Sequence, residues 1–111
     1  MNRYSIPYNN QVALTGLVAE KPVDKVIFVY FKLRIEQEVE TDTGWVTKCP
    51  KFTIIGKGEA ADRIAEFQSG DCVAVDGHLT TYFKENLCTW LQGIEADHVE
   101  LLAKKGEKWN L

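Results

Sequence analysis

Apolar and polar residues alternate at every second position through most of the chain, and at every third to fourth in one short stretch, so the sequence predicts strands interrupted by a single helix. From Asn10, the run Val12, Leu14, Leu17, Val18 predicts a first strand. Gly16 inside it marks a bulge or sharp bend, and Lys21-Pro22 ends it. The cleanest alternation follows: Ile27, Val29, Phe31, Leu33 and Ile35 form one face of a second strand, and Phe28, Tyr30, Lys32, Arg34, Glu36 and Glu38 the other. Thr41-Asp42-Thr43-Gly44 reads as the turn of a long hairpin with an acidic tip. The third strand then runs from about Trp45 to Lys57, with Phe52 and Ile54 toward the core and Lys51, Thr53, Ile55 and Lys57 opposite. Pro50 lacks a ladder donor and predicts a bulge or a sheet edge there.

Ala60, Ala61, Ile64 and Phe67 recur at helical spacing, which predicts a three-turn helix closed by Ser69-Gly70. A fourth strand places Val73, Val75 and Leu79 inward, bends at Gly77, and leads through Thr80-Thr81-Tyr82-Phe83 to a turn at Lys84-Glu85-Asn86. The fifth spans roughly Leu87 to Leu102, with an interruption expected near Gly93. Residues 1–9 read as an N-terminal arm, 10–102 as the folded domain and 103–111 as a short flexible tail. Five strands with their one helix between the third and fourth make an all-β protein with the plan of an OB-fold barrel.

A chain of 111 residues that is 45% hydrophobic holds one domain with its own core. Without a long apolar run or a basic, apolar leader, it is expected to be soluble and cytoplasmic, in a bacterial cell or a phage-infected host. Cys49, Cys72 and Cys88 suit a reducing compartment and are expected to be buried or half-buried. The net charge of −3 argues mildly against a polyanionic ligand. Its distribution matters more, because acidic residues cluster over 36–42 and 95–100 and leave Lys32, Arg34, Lys48, Lys51 and Lys57 able to form one basic face. Chemistry-bearing clusters are scarce: His78 and His98 lack zinc-ligand partners, Gly56-Lys57-Gly58-Glu59 lacks the spacing of a phosphate loop, and no serine sits in a nucleophile elbow. Neither an enzyme nor a cofactor or metal is expected.

The outward face of the second and third strands carries the stronger signal. Phe28, Tyr30, Lys32 and Arg34 lie beside Trp45, Lys51, Ile55 and Lys57, with Tyr82, Phe83 and Lys84 on the fourth strand. Rings interleaved with cations suit single-stranded nucleic acid, since bases stack on rings while Lys and Arg follow the phosphates. The same residues would equally serve a subunit interface or cover the barrel while lysines keep it soluble.

Four segments resemble the bacterial and phage single-stranded DNA-binding proteins (SSB). They are Asn10 to Leu17, Phe52 to Lys57 with Ala60 to Ile64, Gly70 to Thr81, and Ile94 to Leu102, in the family's order and spacing. The resemblance covers about residues 10–102 and extends to the primosomal replication protein N group and to phage or plasmid homologues. It implies an OB-fold, sequence-tolerant binding of single-stranded DNA (with RNA as the other candidate) in replication, recombination or repair, and assembly through the first strand. Val12, Leu14 and Leu17 would then lie at the interface of a homodimer or homotetramer. Places where the family carries aromatics are here Cys49, Ile55 and, near the fourth-strand hairpin, Lys84, with Phe83 one residue off. Stacking is therefore expected to have moved to Phe28, Tyr30, Trp45 and Tyr82, with phosphates on Lys32, Arg34, Lys51, Lys57 and Lys84. The family's long linker with an acidic Pro-Phe tip has no counterpart up to Leu111, so replication proteins are not expected to be recruited by that route. The rival reading is an SSB-like protein-interaction module with weak or lost DNA binding. No membrane partner is expected.

Overall fold

A computed structural model describes residues 9–106. Its strands are β1 (Val12–Val18), β2 (Val23–Asp24), β3 (Val29–Arg34), β4 (Gln37–Thr41), β5 (Gly44–Lys48), β6 (Lys51–Gly56), β7 (Cys72–Lys84) and β8 (Thr89–Ala103), with helix α1 (Glu59–Ile64) between β6 and β7. The larger sheet runs β1-β7-β8-β6-β3-β2 and closes on itself by pairing β1 with β3. The result is a ring of five strands, β1, β7, β8, β6 and β3. The β6–β8 pairing is parallel and the others antiparallel.

Closure depends on β1 leaving β7 for β3. It pairs with β7 from Val12 to Leu17 and reaches Arg34 and Leu33 of β3 through Leu17 and Val18. Gly16 sits at this crossing, where a Cβ would overlap the carbonyl oxygen of Arg34, so a side chain there would hold the two strands apart. The interior is filled by Val18, Phe31, Leu33, Ile54, Val73, Val75 and Val99, all at 2% exposure or less. Ile64 and Phe67 seal one end, and the Phe67 ring meets Phe31 edge-on with centroids 5.8 Å apart. Burying each of these two side chains is worth about 1.5–3 kcal/mol.

Several local expectations are corrected. Helix α1 has six residues, not three turns; beyond Ala65, i→i+3 bonds from Glu66 to Arg63 and Phe67 to Ile64 carry the chain to Phe67. Pro50 introduces no bulge. The β3–β6 pair Arg34–Lys51 and the β4–β5 pair Gln37–Lys48 share one register, and Ile35 N–H still donates to the Pro50 carbonyl at 3.1 Å. The ladder simply breaks there, and β4–β5 projects as a separate two-stranded ribbon. Leu79 and Phe52 have the parity of core residues but are 58% and 36% exposed, because their strands run past the end of the barrel. Ile27 is 80% exposed since a three-residue turn at Val26, closed by Ile27 N–H to the Lys25 carbonyl at 2.8 Å, ends the alternation before Phe28. Strand β8 is unbroken at Gly93; its irregularities lie where it pairs with Cys72–Val73 and Asp76–Gly77. Cys49 and Cys88 are exposed rather than buried, whereas Cys72 is half-buried and its thiol is pushed up by desolvation.

The domain extends slightly beyond its expected bounds. Strand β8 includes Ala103, and the backbone N–H of Lys105 donates to Asp71 Oδ1 at 3.0 Å, which anchors the start of the tail. Asp71, 3% exposed, also accepts from the Gln68 N–H at 2.8 Å. At the other end the Asn10 amide bonds both the N–H and the carbonyl of Leu79, at 2.7 and 2.9 Å, taking the place of a strand partner. Most of the expected arm (1–8) and the rest of the tail (107–111) lie outside the described residues.

Candidate nucleic-acid interface

Strand register decides which side chains share the outward face. On β3 the interior residues are Val29, Phe31 and Leu33, so Tyr30, Lys32 and Arg34 point out. They pair across with Ile55, Thr53 and Lys51 of β6. Ile55 is next to Glu95 on β8, and Glu95, Gly93 and Leu91 pair in turn with His78, Thr80 and Tyr82 of β7. One face therefore runs across four strands from Tyr30, Lys32 and Arg34 to Tyr82, with Lys84 at its rim by the same alternation.

Its centre is a small platform. Tyr82 lies over Gly93, where a Cβ would come within 3.0 Å of the ring carbon Cε1. The Tyr82 hydroxyl is 3.5 Å from Thr53 Oγ1, which also accepts from Lys32 Nζ. A ring, a hydroxyl and a cation are thus linked across β7, β6 and β3. Phe28 adds a second ring beside Tyr30, centroids 6.3 Å apart and planes inclined by 35°. Arg34 and Lys51, directly paired and both exposed, form the cationic end.

Other expected site residues fall elsewhere. Ile55 is on this face but only 7% exposed, flanked by Tyr30 and Glu95, so it forms floor rather than platform. Lys57 is held by Glu95 at 3.3 Å, and Glu95 also lies 3.5 Å from His78, whose other ring nitrogen is 3.1 Å from Asp97. Phe83 is on the reverse of the β7–β8 hairpin from Tyr82, edge-on to Trp90 at 5.4 Å. Trp45 is on the projecting ribbon, 66% exposed and paired with Glu40. Lys48 has the opposite parity to Lys51 and faces away.

The sequence reading missed Gly93 as the floor beneath Tyr82, Glu95 as the partner that occupies Lys57, and Trp90 as the ring opposite Phe83. Only Trp90 left a usable signal: an exposed ring on each side of one predicted turn, at positions that pair in a short hairpin.

At the edge, Val12 and Leu14 are half-buried against the core, while Leu17 is 36% exposed. Among the described residues, the side of β1 away from β7 is paired only at Leu17 and Val18. Among the described residues the Val12–Thr15 backbone is thus open to another strand.

No protein-family model and no curated protein sequence matches this chain. Solved structures do. The chain is similar to the Plasmodium falciparum SSB in complex with ssDNA (TM-score 0.69, 21% identity, 91% of this chain and 96% of that one). It is similar to a small single-stranded DNA-binding protein from Streptomyces coelicolor (0.62, 19%, 85% and 95%). A deletion mutant of the Thermus aquaticus single-stranded DNA binding protein aligns with TM-score 0.76 at 17% identity, over 88% of this chain and 52% of that one. At such identities the likeness establishes the fold, and this chain has the OB-fold barrel that these single-stranded DNA-binding proteins share.

Proposed function

We propose that this protein binds single-stranded DNA without marked sequence preference, as a non-catalytic factor in replication, recombination or repair. The observation that carries the reading is the single face on which Tyr30 and Tyr82 alternate with Lys32, Arg34, Lys51 and Lys84. Bases stack on the two tyrosines, with Phe28 beside Tyr30, and the cations take the phosphates. The fold is one in which a similar protein has been solved with ssDNA. Self-assembly fits the open edge of β1, which can add a strand from a second copy and so hide its backbone groups.

The test is a titration of fluorescein-labelled oligo-dT at graded salt, read by anisotropy, with light scattering on the free and bound protein. Four phosphate contacts predict a slope of log K against log salt of about −3. No anisotropy change with tens of micromolar protein at low salt would refute the proposal. Oligo-U in parallel reports the preference between DNA and RNA.

The protein-interaction reading draws on a separate observation, the exposed Phe83–Trp90 pair on the reverse of the hairpin. It gains if Lys32→Glu, Arg34→Glu and Lys51→Glu together leave the cellular role intact.

A further inference from the structure

We infer that the β4–β5 ribbon is an electrostatic barrier that fixes one end of the bound strand's path. This rests on the DNA-binding reading. The hairpin keeps one register from Arg34–Lys51 into Gln37–Lys48, so no inserted residue rotates the ribbon's faces relative to the barrel's. Glu36, Glu38 and Glu40 consequently continue the row Tyr30, Lys32, Arg34 on the same side of the hairpin. Successive members of such a row are roughly 7 Å apart.

No cation stands directly across from them. Glu38 pairs with Thr47 and Glu40 with Trp45, and the same register sets Cys49 beside Glu36. Among the described residues none of the three carboxylates forms an ion pair. Thr47 Oγ1 donates to Glu38 Oε1 at 2.6 Å, which holds that carboxylate on this face. All three side chains belong to exposed residues. The first follows Arg34 by a single alternation, well inside the screening length of about 10 Å at 0.1 M salt.

A phosphate that left Arg34 and Lys51 along the hairpin would meet three charges of its own sign. The strand is therefore turned across the sheet, over Thr53 and Gly93 toward Tyr82 and Lys84, and Trp45 is withheld from stacking although it is exposed.

The experiment compares the full chain with a Glu36→Lys, Glu38→Lys, Glu40→Lys variant. A control with the same change in net charge carries Glu59→Lys, Glu66→Lys and Glu100→Lys, all exposed and off the ribbon, the first at the start of α1, the second just past it and the third opposite Ala74 toward the C-terminal end of β8. Each is titrated with oligo-dT of increasing length across a salt series, and thermal melts confirm that each folds. The ribbon variant is expected to bind more tightly and to need longer oligonucleotides to reach full affinity. Its salt slope should steepen by about 2, for three added phosphate contacts at roughly 0.7 each. The control should change slope and length dependence little. Equal changes in the ribbon variant and the control overturn the barrier and leave DNA binding standing, as does an unchanged ribbon variant. No binding by any of the three overturns the DNA-binding reading and the barrier with it.

Discussion

Tyr82→Ala is the substitution that most directly tests the face. The ring rests on Gly93, and its hydroxyl reaches only to Thr53 at 3.5 Å, so the ring can be removed without leaving a buried polar group. Loss of a base–aromatic stack is worth roughly 1–3 kcal/mol. A central value of about 2 kcal/mol is a loss of roughly 30-fold in affinity. Phe83→Ala removes the adjacent ring, which points to the reverse of the same hairpin, and should change affinity less than about twofold, well below the stacking range. Gly93→Ala should give an intermediate loss, because its Cβ would push on both the Tyr82 ring and the Thr53 carbonyl. The assay is anisotropy with labelled oligo-dT at low salt, with near-ultraviolet circular dichroism to confirm the fold. Equal losses for Tyr82→Ala and Phe83→Ala would show that proximity to the turn, not the register-defined face, governs binding.

Three further outcomes can be checked on the same protein. Glu95→Gln releases Lys57 and removes a negative charge from the face, so affinity for oligo-dT should rise and the salt slope steepen by about 0.7; an unchanged slope means Lys57 contacts no phosphate. Asp71→Ala deprives the backbone N–H groups of Gln68 and Lys105 of a charged acceptor, a loss of about 2–4 kcal/mol. In a melt followed by circular dichroism that corresponds to a fall of about 10–20 °C, with Asp71→Asn recovering part of it, and a fall under about 3 °C refutes the anchoring role. Val26 holds φ at 73° although β-branched and 96% exposed, so Val26→Gly should relieve strain at little loss of packing. A gain of about 1 kcal/mol, read as a higher melting temperature, is expected, and a lower one counts against strain.

The alternation in Val29–Arg34 was legible because one side of that strand is buried in a core and the other is wet, so burial and sequence period coincide. The strand–helix–strand order around Gly58 and Gly70 was legible for a similar reason, since positive φ at both glycines marks the two ends of the connection. Alternation gives the side of a strand but not where the barrel beneath it stops. Leu79 and Phe52 were misplaced on that account. Helical spacing could not separate α1 from the tighter turn after it, because both put Ile64 and Phe67 on the same side. Aromatic and basic composition located the outward face but could not exclude Phe83 or Lys48 from it, since one step of register moves a side chain to the other side. Trp45 has the right parity but lies on the ribbon beyond the barrel, which periodicity does not report.

The deepest reason lies in β8. Val75 pairs with Val99 and Asp76 with His98, yet Gly77 pairs with Ala96, so Asp97 is an extra residue opposite no partner. C-terminal to it the inward positions are odd, as at Val99; N-terminal to it they are even, as at Ala96 and Ile94. Continued without that residue, the alternation of Val99 would turn Glu95 and Gly93 into the core and Ile94 out to solvent. The extra residue is what puts Gly93 beneath Tyr82 and Glu95 within reach of Lys57, and the Asp97 carboxylate is itself held 3.1 Å from His78. The apolar residues of Thr89–Ala103 do slip in phase between Ala96 and Val99, but only the pairing with β7 shows that one extra residue, Asp97, is the cause. The chemistry of the face is therefore set by a backbone irregularity as much as by which aromatic and basic residues the chain contains.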